Sequence, residues 1–254
     1  MTNAWGNIWA VCKRELGAYF TSPVAYVFII IFLVLAGFLP WILPFPAGRF
    51  FERGVAALDS FFFWHPFLYL LLVPALGMRL WAEERRTGTV ELLLTMPLSC
   101  WQAVAGKFLA AWGMLALALA LTFPMVLTVA YLGEPDGGQI ATGYLGSLLV
   151  GTTYLSIACM TSAMTRNQVV SFILAVVLCF LNAAAGLSAV AELLDGWGRP
   201  GAAAADLLMG LSAASHFGAM QRGLLEFRGV VYFLAVPLFF LFATAVILRG
   251  RRTR

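Results

Sequence analysis

The residues best equipped for chemistry sit in one run, Ala82-Glu83-Glu84-Arg85-Arg86-Thr87-Gly88-Thr89-Val90-Glu91-Leu92-Leu93-Leu94-Thr95-Met96-Pro97. It is the densest cluster of mixed charge in a very apolar chain, and its chemistry is that of ion pairs and directed hydrogen bonds. Glu83 and Glu84 precede Arg85 and Arg86, and Glu91 follows. Acid first and base second suits the start of a helix, because early carboxylates meet the positive end of the helix dipole. Gly88 allows a bend, and Val90 with Leu92, Leu93 and Leu94 fits a short amphipathic helix closed by Met96-Pro97. A plain solvated loop accounts for Arg85 and Arg86. It accounts poorly for the acids and for the apolar run. Such a loop, tied to two long apolar segments, is a handle for something outside the membrane.

Other residue types offer less. The only histidines are His65 and His216, too few and too isolated for a metal site of ordinary composition. His65, beside Trp64 and Pro66, suits the end of a span. Met160 and Met164 are one turn apart near Cys159, a spacing that soft metals accept, but packing is the simpler reading. Cys12, Cys100, Cys159 and Cys179 show no paired spacing and no disulfide framework. Gly143, Ser147 and Gly151 recur every fourth residue, a stripe that lets helices approach closely. There is no Gly-x-Ser-x-Gly and no His-Glu-x-x-His, and no span carries a central Asp or Glu. An intramembrane protease or an ion-driven carrier is therefore not expected. No Gly-x-x-x-x-Gly-Lys-Ser/Thr occurs: Gly106-Lys107 has Trp101 in place of the upstream glycine and Phe108 in place of the hydroxyl. The chain is not expected to hydrolyse ATP or to bind a cofactor or metal, and nucleic acid is not among its expected partners.

The elements that position the charged run follow from composition. The 254 residues are 62% hydrophobic and 11% charged, against about 25% charged in an ordinary soluble domain. Mean hydropathy is +0.90. Too little polar surface remains to cover a soluble core, so the reading is an all-α integral membrane protein. Crossing a ~30 Å hydrocarbon layer takes about 20 apolar helical residues. Six stretches qualify: Val24–Leu43, Phe61–Leu80, Phe108–Leu132, Gly143–Met164, Val169–Val190 and Val230–Leu248. Pro44-Phe45-Pro46 ends the first, and Gly133-Glu134-Pro135-Asp136-Gly137-Gly138 is a strong turn after the third. An even count puts both termini on one side. Basic residues choose it: Lys13, Arg14, Arg79, Arg85, Arg86, Lys107, Arg166, Arg249, Arg251, Arg252 and Arg254 fall on that side, against Arg49, Arg53, Arg199, Arg222 and Arg228 on the other. The positive-inside rule then predicts cytoplasmic termini in a bacterial inner membrane. No basic stretch leads into an apolar run at Met1–Trp5, so no cleaved leader is expected. Residues 1–254 read as one transmembrane domain.

Two further segments carry a pattern. In residues 1–22, Trp5, Ile8, Trp9, Cys12, Leu16, Tyr19 and Phe20 step by three or four, with Lys13 and Arg14 off the stripe. This predicts a helix lying in the inner interface, its Trp and Tyr rings at headgroup depth and its cations facing lipid phosphates. A soluble helix packed on a loop is the plainer alternative. Residues 192–229 form a connection long enough to expect a job. Two short helices dipping into the outer leaflet would fit, as would a surface loop.

The run from Ala82 on to Gly106-Lys107-Phe108 resembles the first cytoplasmic loop of type-2 ABC exporter permeases, nearest the gliding-motility-type and copper-processing-type subgroup. Lys13-Arg14-Glu15-Leu16 followed by Tyr19-Phe20-Thr21-Ser22-Pro23-Val24-Ala25-Tyr26 looks like that family's opening. Ser215-His216-Phe217 with Arg222-Gly223 and Tyr232-Phe233 looks like its last outer connection. The likeness implies a coupling helix within residues 82–107, docked by Glu83, Glu84, Arg85, Arg86, Thr87, Gly88, Thr89 and Glu91 on a separate P-loop ATPase that holds ATP and Mg. It also implies an outer re-entrant helix pair, a second permease copy or paralogue and a periplasmic partner. The alternative in another class is a membrane scaffold that recruits a soluble partner through the inner loop.

Overall fold

The structure, a computed structural model, describes residues 4–43, 57–89, 99–195 and 199–250. Glu91, the leucines after it, Met96-Pro97, Pro44-Phe45-Pro46, Arg49, Arg53 and the terminal arginines 251, 252 and 254 lie outside the described residues. Those that are described form α-helices and no strand. In chain order they are α1 (Ala4–Thr21), α2 (Pro23–Ile42), α3 (Asp59–Gly77), α4 (Arg79–Thr87), α5 (Cys100–Ala120) and α6 (Phe123–Leu132). There follow α7 (Gly137–Met164), α8 (Gln168–Ala184), α9 (Ser188–Asp195), α10 (Arg199–Gly210), α11 (Ala213–Gln221) and α12 (Phe227–Arg249).

Helix starts follow local chemistry. Ser22 ends α1 and caps α2, its Oγ accepting from the Val24 N–H at 3.2 Å, with Pro23 pre-set in the first turn. Ser99 and Gln102 form a reciprocal capping box at α5. Asp136 and Asn167 cap α7 and α8.

Five helical stretches are long and apolar enough to cross a bilayer: Pro23–Ile42, Asp59–Thr87, Cys100–Leu132, Gly137–Met164 and Phe227–Arg249. The remaining stretch of the sequence reading, Val169–Val190, is divided. α8 has 17 residues, about 26 Å at 1.5 Å each, and ends at Ala184. The reason lies beyond it. Gly186 meets Ser212 so closely that a Cβ there would collide with its hydroxyl. The Asn182 side chain donates to Leu211 O at 2.8 Å and accepts from Ala213 N at 3.2 Å. The start of α11 is thereby stitched to the end of α8, and the chain turns before resuming as α9.

α7 is the hub. It is the most enclosed of the five long helices, and it packs on α3, α5, α8, α11 and α12. The small-residue stripe explains this. A Cβ on Gly151 would lie 2.5 Å from Leu115, and one on Gly146 2.8 Å from Phe217. Gly143 sits against the Phe62 ring. Bare backbone here lets large side chains of three neighbours approach the helix axis.

Candidate functional site

The charged run begins on α4, and α4 is held by neighbours on two sides. The first turn of a helix has N–H groups with no acceptor of its own. In α4 they are met by another helix: Ser162 of α7 accepts from the Trp81 and Ala82 N–H groups, each at 3.0 Å, and donates to Met78 O at 2.8 Å. Arg85 Nη1 donates to Ala163 O, one residue along. Leu80, Trp81 and Ala82 are buried. At the far end Gly88 adopts φ 75°, the left-handed cap that only glycine takes without strain, and its N–H bonds Glu84 O. Thr87 Oγ1 donates to Glu83 O at 3.0 Å. Arg86, Thr87, Gly88 and Thr89 are exposed, so α4 ends in a polar, well-capped tip.

The four charges do not share one fate. Arg86 faces solvent. Glu83 is half-buried and pairs with Arg79 at 3.3 Å, one helical turn back. Glu84 turns inward, its Oε1 lying 2.8 Å from Lys107 Nζ. The same ammonium is 3.2 Å from Glu15 Oε2 and sits 5.3 Å from the centre of the Trp81 ring. The Lys107 side chain is only 3% exposed. A buried ammonium needs such partners, since its desolvation is costly and only close, hydrogen-bonded carboxylates offset it. Arg14 adds a contact at 2.7 Å to Glu15 and lies 4.0 Å from Glu84. Burial acts to raise the Glu15 carboxyl pKa, and Lys107 and Arg14 outweigh it, holding that group below the ordinary glutamate value.

α1 reaches this cluster because Gly106, next to Lys107, lets it approach. A Cβ on Gly106 would fall 2.7 Å from Val11 Cβ and 2.9 Å from Ile8 O. The packed face of α1 is Ile8, Val11, Cys12, Glu15, Leu16 and Tyr19. Tyr19 donates to Leu76 O at 3.4 Å, and burial, with Glu15 nearby, pushes its hydroxyl pKa up. Trp5 and Trp9 point away, 79% and 69% exposed, and Lys13 and Arg14 are exposed as well. The apolar stripe of the sequence therefore separates into a packed face, which includes Tyr19, and a free face, which carries the tryptophans.

The set of Ser215, His216, Phe217, Arg222 and Gly223 falls elsewhere. Phe217 packs on Gly146 of α7, while Ser162 lies about 16 residues, or about 24 Å, farther along that helix. Ser215 Oγ donates to Met209 O at 2.6 Å, and His216 Nε2 lies 3.1 Å from Gly210 O. The His216 ring packs on Tyr232, whose hydroxyl donates to Leu211 O at 2.8 Å. Ser215 and His216 thus form one joint between α10, α11 and α12, while Phe217 faces α7. Arg222 and Gly223 are exposed in the turn after α11, with Gly223 at φ 84°. A cleft of about 530 Å³ opens beside the joint, lined in part by Asp206, Glu226 and Arg228.

The sequence that forms these helices has counterparts among known proteins. Residues 9–248 match the ABC-2 family transporter proteins. The chain belongs to the ABC-2 transporter family. It is a multi-pass membrane protein, and the family match runs from within α1 through nearly all of α12. One relative of this ABC-2 chain, the probable ABC transporter permease protein NosY of Pseudomonas aeruginosa, is 28% identical over 158 residues. The matched stretch covers 59% of this chain and 58% of that relative.

Sequence reasoning missed Glu15, Lys107 and Ser162. Lys107 carried a signal: a single cation several residues into an apolar helix demands a partner. Glu15 carried a weaker one, since it shares the three-to-four spacing of Ile8, Cys12 and Tyr19. Ser162 carried none, because a serine that caps a different helix looks like any small residue of a span.

Proposed function

We propose that this ABC-2 chain is the permease subunit of an ABC transporter of the gliding-motility-type and copper-processing-type subgroup. In this reading a separate P-loop ATPase binds ATP and Mg, and residues 82–107 receive its motion. The observation that carries the reading is the division within α4. Its body is bonded to the inner ends of α5 and α7 through Lys107 and Ser162, while Arg86 through Thr89 are left exposed. A rigid element with a free polar tip suits docking by a second protein, because preorganised groups bind at lower entropic cost. Glu91 and the leucines after it would extend the contact.

Both termini are cytoplasmic in this arrangement, in the inner membrane of a bacterium, with basic residues on the inner side. α1 lies in the inner interface with Trp5 and Trp9 toward lipid and Lys13 and Arg14 toward phosphates. α8 is a short sixth span. Segments of α9, α10 and α11 form the outer re-entrant structure, with Leu207 and Leu211 facing lipid, and their outer surface is available to a periplasmic partner. Two permeases, identical or paralogous, and two ATPases make the working unit, which exports a substrate or transmits force across the membrane.

The test is co-purification from native membranes through a tag on this chain, with the associated ATPase activity measured. A P-loop ATPase should be retained, and Arg86→Glu should release it while the melting profile of the permease alone stays unchanged. A soluble partner without ATPase activity would replace this reading with the scaffold. Full ATPase retention by an Arg86→Glu, Thr89→Arg variant would remove the tip from the contact.

A further inference from the structure

Among the described residues Lys107 is the one buried cation. It belongs to a bilayer-length helix, yet its charge is used by two other elements. One N–H serves Glu84 of α4 at 2.8 Å and another serves Glu15 of α1 at 3.2 Å; the ammonium also lies 5.3 Å from the Trp81 ring centre of α4. The ammonium has three donors and no acceptor capacity, and the two carboxylates and the Trp81 ring face it from two helices. Two carboxylates would face each other across this space without the cation. Separating α1 from α4 at this point would expose a like-charged pair or a bare ammonium to an apolar setting. The other direct ties between α1 with its end at Ser22 and the α3–α4 junction are weak: Arg14 to Glu84 at 4.0 Å, half-exposed, Tyr19 to Leu76 O at 3.4 Å and Arg79 to Ser22 Oγ at 3.5 Å.

We propose that Lys107 is a positioning residue that makes the interfacial helix α1 and the coupling helix α4 move as one body on the inner end of α5. The proposal rests on the reading of α4 as the element an ATPase drives. Under it α1 is a moving part of the transport cycle, carried through the membrane interface with α4, and its exposed Trp5 and Trp9 face shifts against lipid at each turnover.

The test uses the permease–ATPase complex in nanodiscs, with the four native cysteines changed to Ala. Spin labels placed on Lys13→Cys in α1 and Ala141→Cys at the opposite end of α7 report the displacement of α1, compared without nucleotide and with ATP and vanadate. Hydrogen exchange of the α4 amides in the same samples reports whether α4 responds to nucleotide. The Lys13–Ala141 distance should change with nucleotide in the otherwise native chain. That change should be lost in Lys107→Met, and lost again in Glu15→Ala, which keeps the Lys107–Glu84 pair and guards against a folding defect in the first variant. Lys107→Arg should restore part of it. A distance that ignores nucleotide while α4 responds, or one that changes equally in both variants, overturns the proposal. Silence of α4 itself would mark failure of the coupling reading, and the inference would fall with it.

Discussion

Replacing Ser162 by Ala should loosen α4 from the bundle far more than its single lost oxygen suggests. The Oγ accepts from two buried N–H groups and donates to one carbonyl. Its loss takes this acceptor from both the Trp81 and the Ala82 amide at the start of α4. Removing an ordinary helix cap costs about 0.5–2 kcal/mol, and leaving a buried donor unpaired costs about 1–3 kcal/mol. With partial relaxation the expected loss is about 2–4 kcal/mol, or about 5–10 °C in melting temperature for a chain of this size. Ser156→Ala is the matched control. Ser156 lies on the same helix, is equally buried and bonds only Thr153 O within its own turn. Removing it should cost below about 1 kcal/mol. Thermal unfolding in detergent compares the two, and hydrogen exchange at Trp81 and Ala82 localises the effect. Equal melting shifts, or unchanged protection at those two amides in Ser162→Ala, would refute the idea that α7 caps α4.

Gly106→Leu should drive α1 off α5, since even a Cβ there meets Val11 at 2.7 Å; a loss of about 1–3 kcal/mol or more is expected from overpacking, read by thermal unfolding. Glu15 gives a pH dependence of known sign. Its folded pKa is depressed, so its contribution is complete above the unfolded glutamate value of about 4.3 and is lost as pH falls through the folded one. A spin label on Lys13→Cys should therefore gain mobility on acidification below the ordinary carboxylate range, and Glu15→Gln should flatten the response. Asp136→Cys, in the turn between α6 and α7, should react with impermeant maleimide only from outside; labelling only from the cytoplasm would reverse the six-span topology.

The long apolar helices were legible because their signal is summed over some twenty residues and no other solvent accommodates it. The charged run reads the wrong way round: acid before base suggests a helix start, whereas Glu83 to Arg86 close α4, with Arg85 and Arg86 in its last turn and Gly88 as its C-cap. What the sequence hid was pairing between distant elements. Glu84 and Arg86 look equivalent in a charged run, and nothing local says that one faces Lys107 and the other water. The α1 stripe was drawn from apolar residues alone, so it admitted Trp5 and Trp9 and omitted Glu15, whose partner lies on another helix. The fifth apolar stretch was read as continuous because its end is set by Asn182 and Gly186 meeting residues near Ser212, a contact with no trace in local hydropathy.

The hub helix has a consequence for how this protein enters the membrane. α7 is the least apolar of the five long helices and the most enclosed. Its buried Ser147, Thr153, Ser156, Thr161 and Ser162 each find an oxygen or nitrogen partner inside the protein. Thr153, Ser156 and Thr161 bond carbonyls of α7 itself. Ser147 and Ser162 find their partners on α3, α4 and the junction between them. Without those neighbours these two hydroxyls and the glycines would face lipid, where polar groups are costly and glycines leave little to pack. During synthesis α3 and α5 emerge first and α12 last. α7 taken alone is therefore expected to insert less favourably than the other long helices, and its last wall, α12, is added only at the end of synthesis.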